Sequence, residues 1–241
     1  MNKKNIIPNW RGVIPVYINN FNWLTSTREL ADFFSDVPGV EVIIVDNAST
    51  YPPLLDWYSE TDYKIVRLDQ NIGAHAPWHC GAVLPPVVHR AFWGNDFYVL
   101  TDPDLSLSGC PKDVLNVLTK GWQSHSNIIK VGLSLEINDI PSDALIGAEA
   151  KNWESQFWAE RLGANFFNAD VDTTFALYSI NVTSAQAQKA IRSDRPYTAR
   201  HLPWYITMEN ITPEQEYYIN STKVGSWGKR LQQCLSEKRR F

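Results

Sequence analysis

Cysteine is too scarce in this chain to build a covalent framework. Only three occur among 241 residues, at Cys80, Cys110 and Cys234. Their wide spacing makes no zinc pattern, and the odd number argues against a set of disulfides. A reducing compartment is the simplest interpretation, so we expect a cytoplasmic protein.

Long apolar runs and a strong charge imbalance are also lacking. No apolar stretch approaches the roughly 20 residues that a membrane span requires, and no apolar run of a signal peptide follows the charged start. The net charge of −4 gives no signature of nucleic-acid binding. We expect no transmembrane segment and no nucleic-acid partner. A basic end, Lys238-Arg239-Arg240, leaves peripheral contact with an anionic membrane open, although so short a run is usually solvated.

Tryptophan, by contrast, is abundant, with 10 in the chain. Aromatic faces cover the apolar faces of sugar rings, although most of these residues are expected to pack in the core. Hydrophobic residues make up 44% of the chain and charged residues 20%, which is typical of a globular protein. This length predicts one domain over residues 1–241, with a nucleotide-binding half at about 1–110 and an acceptor half at 111–241.

Strand and helix patterns alternate in the first half. Strands are predicted at residues 12–18, 40–45, 63–68 and 97–101, and helices at 23–34, 54–58 and 78–92, the last one broken or kinked at Pro85-Pro86. This alternation predicts an α/β fold with a mostly parallel sheet flanked by helices. The second half predicts helices at residues 112–125, 148–162, 184–192 and 228–240, and strands at 128–135 and 173–180.

Polar motifs follow the predicted strands of the first half. They are Val45-Asp46-Asn47-Ala48-Ser49, Asn71-Ile72-Gly73 and Asp102-Pro103-Asp104. Ligands of open α/β sheets bind outside the carboxyl ends of the strands. Two acids one residue apart at such an end can hold Mg²⁺ or Mn²⁺ together with substrate phosphates and water. An isolated Asp-x-Asp is more often a solvated turn. Here three other predicted strands, at residues 12–18, 40–45 and 63–68, also end in polar, turn-forming segments.

Together with the opening Pro15-Val16-Tyr17, these motifs resemble the nucleotide-binding half of GT-A glycosyltransferases, the family 2-like group in particular. The resemblance implies a GT-A (Rossmann-like) sheet, a donor that is a UDP-, GDP- or dTDP-linked sugar, and Mn²⁺ or Mg²⁺ as cofactor. It implies that Tyr17 stacks on the base, that Asp46 accepts a hydrogen bond from a ring N–H, and that Asp102 faces the ribose and the metal. The implied donor-binding residues are Pro15, Val16, Tyr17, Asn19, Asp46, Asn71, Gly73 and Asp102. An Asx turn is the alternative for Asp46, and a plain turn for Asn71 and Gly73.

The implied metal ligands are Asp104, Asp102 and a late histidine, His201. A packed or surface histidine is the alternative there. The acidic pair that the family usually carries in its second half is absent, so Asp172 is the candidate base on the acceptor hydroxyl, with Asp170 as the backup. Trp204 and Tyr205 are candidates for the sugar pocket, and the expected acceptor is a glycan or a lipid-linked glycan.

Two alternatives come from other classes of protein. A phosphohydrolase of the haloacid dehalogenase type also carries an Asp-x-Asp after an apolar strand, but that strand is its first, whereas here three predicted strands precede the one that ends at Asp102. A non-catalytic module that binds nucleotide sugars would share the fold without turnover. Phosphatase activity on aryl phosphates would favour the first alternative, and binding without transfer or hydrolysis the second.

Overall fold

One mixed sheet runs through both halves of the chain in the computed structural model, which describes residues 7–182, 189–223 and 226–239. Its strands, within these ranges, are β1 (Ile14–Asn20), β2 (Val40–Asp46), β3 (Lys64–Arg67), β4 (Phe97–Thr101), β5 (Leu105–Ser106), β6 (Lys130–Leu135), β7 (Arg161–Leu162), β8 (Phe166–Asn168), β9 (Phe175–Ser179) and β10 (Ala190–His201). The helices are α1 (Thr25–Ser35), α2 (Pro52–Glu60), α3 (Ala76–His79), α4 (Pro86–Trp93), α5 (Val114–Ser124), α6 (Gly147–Glu154), α7 (Pro213–Ser221) and α8 (Ser226–Lys238).

The strand order is β3-β2-β1-β4-β9-β6-β10-β8-β7, and β5 pairs with β10 beside this path. The first four strands are mutually parallel. β9 is antiparallel to both β4 and β6, and β10 is parallel to β6. The carboxyl ends of β1, β2, β4, β6 and β10 therefore lie at the same edge of the sheet as the start of β9. The predicted α/β class is confirmed.

Strand alternation divides the apolar residues between the two faces of the sheet. Ile14, Val16 and Ile18 of β1 belong to one core cluster, which also takes in Phe34 of α1. Tyr17 belongs to a second cluster on the opposite face. Because neighbouring side chains of a strand point to opposite faces, both sides of β1 are buried under helices and loops.

Several predicted boundaries are corrected by the structure. The helix predicted over residues 78–92 is two short helices: α3 ends at His79, shortly before Gly81 with its φ of +76°, and Pro85 directly precedes α4. The helix predicted over 148–162 ends at Glu154, where a 3₁₀ turn, Ser155–Trp158, leads to β7. Of the helix predicted over 184–192, residues 184–188 lie outside the described residues, and β10 begins at Ala190.

Strands β5, β7, β8 and β10 and helix α7 were not anticipated, and residues 190–192, predicted as helix, are extended in β10. Helix α7 has a local signal, since the Thr212 side chain accepts the Gln215 backbone N–H and the Gln215 side chain accepts the Thr212 N–H, as in a capping box. The C-terminal helix was predicted at residues 228–240 and is α8; Arg240 lies outside the described residues. Among the described residues, no helix is both long and apolar enough to cross a membrane.

Gly132 of β6 is enclosed by the segment that leads into β9. A Cβ at this position would lie 2.6 Å from the Val171 Cγ2 atom and 2.8 Å from the Phe175 carbonyl oxygen. We expect Gly132→Ala to lower the free energy of unfolding by about 1–3 kcal/mol, the usual cost of overpacking. Chemical denaturation measures the change.

Ser134, two residues along the same strand, gives the control. Its buried hydroxyl has no hydrogen-bond partner among the described residues. Ser134→Ala therefore removes an unsatisfied group and should leave stability unchanged or slightly increased. Equal stability of Gly132→Ala and the wild-type protein would contradict the close packing of β6 against this segment.

Candidate active site

Asp102 follows β4 at the edge of the sheet where the strand ends converge. Its backbone N–H donates to the Thr174 carbonyl at 2.8 Å, and the Thr173 hydroxyl donates to its Oδ2 at 3.1 Å. Both contacts come from the segment that precedes β9. The carboxyl group is thus fixed between strands β4 and β9.

Asp104 and His201 are brought together by the pairing of two strands. Leu105 of β5 lies opposite His201 at the end of β10, and the Leu202 N–H donates to the Asp104 carbonyl at 2.8 Å. This register places the Asp104 Oδ2 atom 3.4 Å from the His201 Nε2 atom. The imidazole also packs against the Trp204 ring, with 4.7 Å between centroids. His201, predicted as a late metal ligand, thus lies beside Asp104, and its role as a ligand stays a prediction.

The donor atoms at this point fit a divalent cation. Asp104 Oδ1 and His201 Nδ1 are buried and have no hydrogen-bond partner in the described part of the chain. Carboxylate oxygens suit Mg²⁺ and Mn²⁺, and a neutral imidazole suits Mn²⁺ as well. No group of three or more His, Cys, Asp or Glu residues suited to a metal is found among the described residues. A cation at Asp104 and His201 would therefore need further oxygen ligands from outside these two side chains.

The two acids are electrostatically unfavourable without a nearby positive charge. Burial raises the pKa of Asp102 well above its usual range, and the neighbouring Asp104 and Asp172 raise it further. Burial also raises the pKa of Asp104, against the opposing effect of His201. A bound cation would relieve this repulsion, because opposite charge favours the ionised carboxylate.

A first cavity of about 270 Å³ opens beside Asp102 and Asp104. Asn19, at the end of β1, and Asn47, after β2, line one wall together with Gly73. The Asn47 side chain bonds both sides of the loop: its Nδ2 donates to the Gly73 carbonyl at 2.8 Å, and its Oδ1 accepts the N–H of Ile72 at 2.8 Å. Two asparagines at strand ends thus shape the loop over residues 71–74.

Asn71 and Gly73 lie in that loop as predicted, and both line the first cavity. The Asn71 Oδ1 atom accepts the Gly73 N–H at 2.9 Å, and Gly73 has a φ of +85°. This positive φ favours glycine. The turn that was the alternative for these residues is therefore present, and it forms part of the cavity wall.

Asp46 does not line either cavity near the Asp-x-Asp. Its fully buried carboxylate accepts the Tyr58 hydroxyl at 3.2 Å, the Ser49 N–H at 3.3 Å and the Arg67 Nε–H at 3.3 Å. These contacts hold the turn after β2, as in the Asx turn that was the alternative for Asp46. The predicted hydrogen bond to a nucleotide base is therefore wrong for this conformation, and the adjacent Asn47 is the residue of this motif that reaches the cavity.

Tyr17, predicted to stack on the nucleotide base, is buried in the core. Its side chain is 0% exposed and meets the Tyr98 ring edge-on, with 6.1 Å between centroids. Pro15 and Val16 are likewise buried in the middle of β1. Since none of the three lines the cavity, none offers a surface to a nucleotide, and Asn19 alone represents the donor residues predicted from this strand.

The wall opposite Asn47 comes from the C-terminal helices, which sequence reasoning missed. Tyr218 of α7 and Trp227 of α8 line it. Helix α7 is held by Glu214, whose carboxylate accepts the Leu24 N–H at 2.8 Å and the Thr25 N–H at 3.1 and 3.2 Å. A carboxylate at these unpaired N–H groups stabilises the N-terminus of α1. One side chain thus both caps α1 and positions the wall.

A second cavity, of about 390 Å³, shares Asp102, His201 and Trp227 with the first. The candidate bases Asp170 and Asp172 line it, as does Trp204. Their predicted roles, as bases and as part of a sugar pocket, stay predictions. Two cavities therefore meet at the proposed metal ligands.

Tyr205 lies away from both cavities, so its predicted place in a sugar pocket is wrong. Its hydroxyl donates to the Glu136 carbonyl at 2.8 Å and contacts Asp139 Oδ1 at 2.7 Å. It follows Trp204 in a 3₁₀ turn, Leu202–Tyr205, so the two side chains leave the turn in different directions.

Asp172 has an exposed side chain on the segment before β9. Its Oδ1 accepts the Thr174 N–H at 3.0 Å, an Asx turn, while its backbone carbonyl accepts both Lys130 Nζ at 3.0 Å and the Tyr178 hydroxyl at 3.1 Å. The Lys130 ammonium also lies 5.2 Å from the centroid of the Tyr178 ring. The buried side chains of Lys130 and Tyr178 thus fix the backbone of the candidate base.

Comparisons with known proteins give similarity in fold. No protein-family model matches the chain, and no curated protein matches it. Glucosyl-3-phosphoglycerate synthase from Mycobacterium tuberculosis, solved with Mn²⁺, UDP-glucose and phosphoglyceric acid, is similar in structure at 16% identity and a TM-score of 0.45, over 73% of this chain and 62% of that one. Its complex with Mn²⁺, UDP and glucosyl-3-phosphoglycerate gives 16% identity and a TM-score of 0.44, over 73% and 63%.

A third solved structure, 4-diphosphocytidyl-2C-methyl-D-erythritol synthase from Anaerococcus prevotii, has 10% identity and a TM-score of 0.36, over 92% of this chain and 82% of that one. The present chain spans about three-fifths of the length of the glucosyl-3-phosphoglycerate synthase chains. The chemistry of the site is accordingly argued from the residues of this chain.

Lys130 gives the site a measurable pH dependence. The residue is fully buried, and burial lowers its pKa to about 8, against the opposing effects of Asp172 and Asp170. A folded-state pKa below the value of about 10.4 for a solvated lysine means that the unfolded chain binds the proton more tightly. The resulting loss of stability is complete below pH 8 and is relieved as the pH rises from 8 towards 10.

We therefore expect the stability of the wild-type protein to rise between pH 8 and 9.5 relative to that of Lys130→Met, by about 1 kcal/mol per pH unit. Denaturant titrations of both proteins across this range measure the difference. Comparison with the variant cancels the titration of the other groups, including the tyrosines. Parallel pH profiles would show that the pKa of Lys130 is not lowered in the folded protein.

Proposed function

We propose that this chain is a metal-dependent glycosyltransferase that moves a sugar from a nucleotide diphosphate to an acceptor hydroxyl. The observation that carries the proposal is the meeting of two cavities at Asp102 and His201, with Asp104 beside them in the first cavity. A transferase of this kind needs two binding spaces that share one reaction point. It also needs charge stabilisation where the diphosphate departs.

The first cavity takes the donor in this proposal. Its loop over residues 71–74 and Asn19 flank the nucleoside, while Asp102 faces the ribose and the metal. The donor is a UDP-, GDP- or dTDP-linked sugar. The position at the carboxyl ends of β1, β2 and β4 supports this assignment, because open α/β sheets bind their ligands there.

Asp104, His201 and Asp102 are the residues that would hold Mn²⁺ or Mg²⁺. When bound, the cation supplies Lewis-acid chemistry, neutralising the negative charge that builds on the diphosphate as it departs. The unpartnered Asp104 and His201 atoms support this assignment.

The second cavity takes the acceptor. In the transfer, the oxygen of an acceptor hydroxyl forms a bond to the anomeric carbon of the donor sugar. The bond from that carbon to the diphosphate oxygen breaks, and its electron pair remains on the diphosphate. The hydroxyl proton passes to a carboxylate, for which we assign Asp172. Its exposed side chain in the second cavity, close enough to Asp102 and Asp104 to raise their pKa values, supports this role.

The acceptor is proposed to be a glycan or a lipid-linked glycan. The residues of the donor cavity come from both halves of the chain, because Tyr218 and Trp227 near the C-terminal end also line it. A single domain with two intertwined halves, and a cytoplasmic location, are parts of this proposal. A phosphohydrolase of the haloacid dehalogenase type would carry its nucleophilic acid after the first strand, whereas Asp102 follows β4.

Asp104→Asn is the direct test of metal-linked donor binding. UDP, GDP or dTDP, with Mn²⁺, should raise the melting temperature of the wild-type protein, since ligand at about 100 times its dissociation constant adds about 2.7 kcal/mol to stability. EDTA should remove most of the increase. Asp104→Asn should lose most of it and His201→Ala a smaller part, because each variant removes one proposed ligand.

The matched control is Asp56→Asn, an exposed acid on α2 outside both cavities. It should show the full Mn²⁺-dependent increase. A wild-type response in Asp104→Asn would sink the ligand assignment, and the absence of a response to every nucleotide diphosphate with metal would count against the function itself. Hydrolysis of an aryl phosphate would favour the phosphohydrolase, and donor binding without transfer or hydrolysis the binding module.

The base assignment is tested by Asp172→Asn. Asparagine keeps the Oδ1 atom that accepts the Thr174 N–H, so the turn should survive while proton acceptance is lost. Turnover, measured as UDP release from the sugar nucleotide in the presence of acceptor, should fall about 10²–10⁴-fold. Donor affinity should remain nearly unchanged.

Asp170→Asn is the comparison for this experiment. Loss of turnover in Asp170→Asn with retention in Asp172→Asn would move the base to Asp170. Full activity in both variants would place the base outside this segment. A parallel fall in stability and donor affinity in Asp172→Asn would show that the side chain only holds the turn.

A further inference from the structure

The chemistry of the second cavity indicates what kind of acceptor it binds. Four carboxyl groups line it, those of Asp102, Glu154, Asp170 and Asp172. Glu154 pairs with Arg192 and Asp102 is a proposed metal ligand, so the exposed Asp170 and Asp172 supply the negative charge next to the reaction point. Carboxylate oxygens accept hydrogen bonds from hydroxyl groups and repel phosphates and other carboxylates.

The one arginine of this lining is already engaged. Arg192 Nη1 lies 2.5 Å from Glu154 Oε1, and its Nε donates to the Asp170 carbonyl at 2.7 Å. Its guanidinium group also lies 4.1 Å from the centroid of the Phe157 ring. Only 3% of the residue is exposed. The arginine thus holds the cavity wall together and has little surface with which to grip an anionic ligand.

Aromatic residues form the outer part of the same cavity. Trp153 on α6 is 55% exposed, and its ring stands at 74° to that of Phe157, with 6.1 Å between centroids. A large exposed indole beside a polar cavity provides a flat apolar face. Such a face covers the C–H surface of a sugar ring while the hydroxyl groups reach the polar walls.

Two buried polar groups in the lining have no partner in the described part of the chain. They are the Thr174 hydroxyl and the Trp204 indole N–H, and both residues are more than nine-tenths buried. Buried polar groups normally find a hydrogen-bond partner. Their presence beside the carboxylates indicates a ligand that both donates and accepts hydrogen bonds, as a polyol does.

We propose that the second cavity binds an uncharged saccharide unit, with Trp153 as its stacking surface and Asp170 and Asp172 as acceptors for its hydroxyl groups. This inference rests on the proposed function, in which that saccharide is the acceptor. It excludes acceptors whose reacting unit bears a phosphate or a carboxylate. The acidic lining and the engagement of Arg192 give both the preference and the exclusion.

The test uses matched pairs of small probes. Methyl glycosides of glucose, galactose, mannose and N-acetylglucosamine are compared with glucose 6-phosphate, galacturonate, mannose 6-phosphate and N-acetylglucosamine 6-phosphate. Binding is measured by saturation-transfer NMR titration on the wild-type protein with UDP and Mg²⁺, because paramagnetic Mn²⁺ would broaden the ligand signals. At least one neutral probe should bind, with its anionic counterpart at least tenfold weaker. Trp153→Ala should weaken the neutral probe at least tenfold, and Trp153→Phe should restore part of the affinity.

Phe92→Ala is the matched control, because Phe92 is an equally exposed aromatic residue, 67% accessible, on α4 outside the cavity. It should bind every probe as the wild-type protein does. Anionic probes that bind as well as their neutral partners would overturn the proposal, as would failure of all neutral probes or indifference to Trp153→Ala. The melting-temperature response to UDP and Mn²⁺ is recorded separately. Its loss with glycoside binding intact would contradict the donor assignment and leave the saccharide site standing.

Discussion

The site depends on the short pairing of β5 with the end of β10. Asp104 and His201 belong to different halves of the chain, and no local pattern brings them together. Two residue pairs, Arg200 with Ser106 and His201 with Leu105, join these strands. Together with the hydrogen bond from the Leu202 N–H to the Asp104 carbonyl, they bring the Asp104 and His201 side chains within contact distance. Because a slip of one residue would turn each side chain to the opposite face, the register of this pair decides whether the acid and the imidazole meet at all.

The reversed strand β9 completes the arrangement. Inserted antiparallel between β4 and β6, it starts where the parallel strands end, so its leading segment reaches the same edge as Asp102. Thr173 and Thr174 bond Asp102, and Lys130 and Tyr178 hold the Asp172 carbonyl from below. An acidic segment therefore lies beside an acidic strand end. Burial raises the pKa of Asp102 and of Asp104, and the charge of Asp172 raises both further. Both carboxyl groups are for this reason costly to ionise unless a positive charge lies nearby.

The sequence was sufficient where the signal is local. An apolar run followed by two acids predicted the bounds of β4 and the position of Asp102, and alternating patterns predicted the parallel strands. The sequence was not sufficient where the face of a strand, or a partner distant in the chain, determines the position of a side chain. Tyr17 belongs to a motif that suggests ligand binding, but it lies in the middle of β1 with its side chain buried. The carboxylate of Asp46 accepts hydrogen bonds from Tyr58 and Arg67 and lines neither cavity. Helix α7 could have been found from its capping box, whereas the contact of Glu214 with α1 has no local signal.

That contact has a consequence for how the molecule comes together. Glu214 and Leu24 are 190 positions apart in the chain, whereas the residue pairs of β1 with β2 are 26 apart and those of β1 with β4 are 83 apart. Because loop-closure entropy grows slowly with loop length, the Glu214 contact costs only about 0.7 kcal/mol more to close than the pairing of β1 with β4. Buried Ile219 and Leu231 and the ion pair of Arg230 with Glu149 add to this anchor. A ligand in the first cavity would contact both the strand ends and Tyr218 and Trp227, so it would tie the C-terminal helices to the sheet.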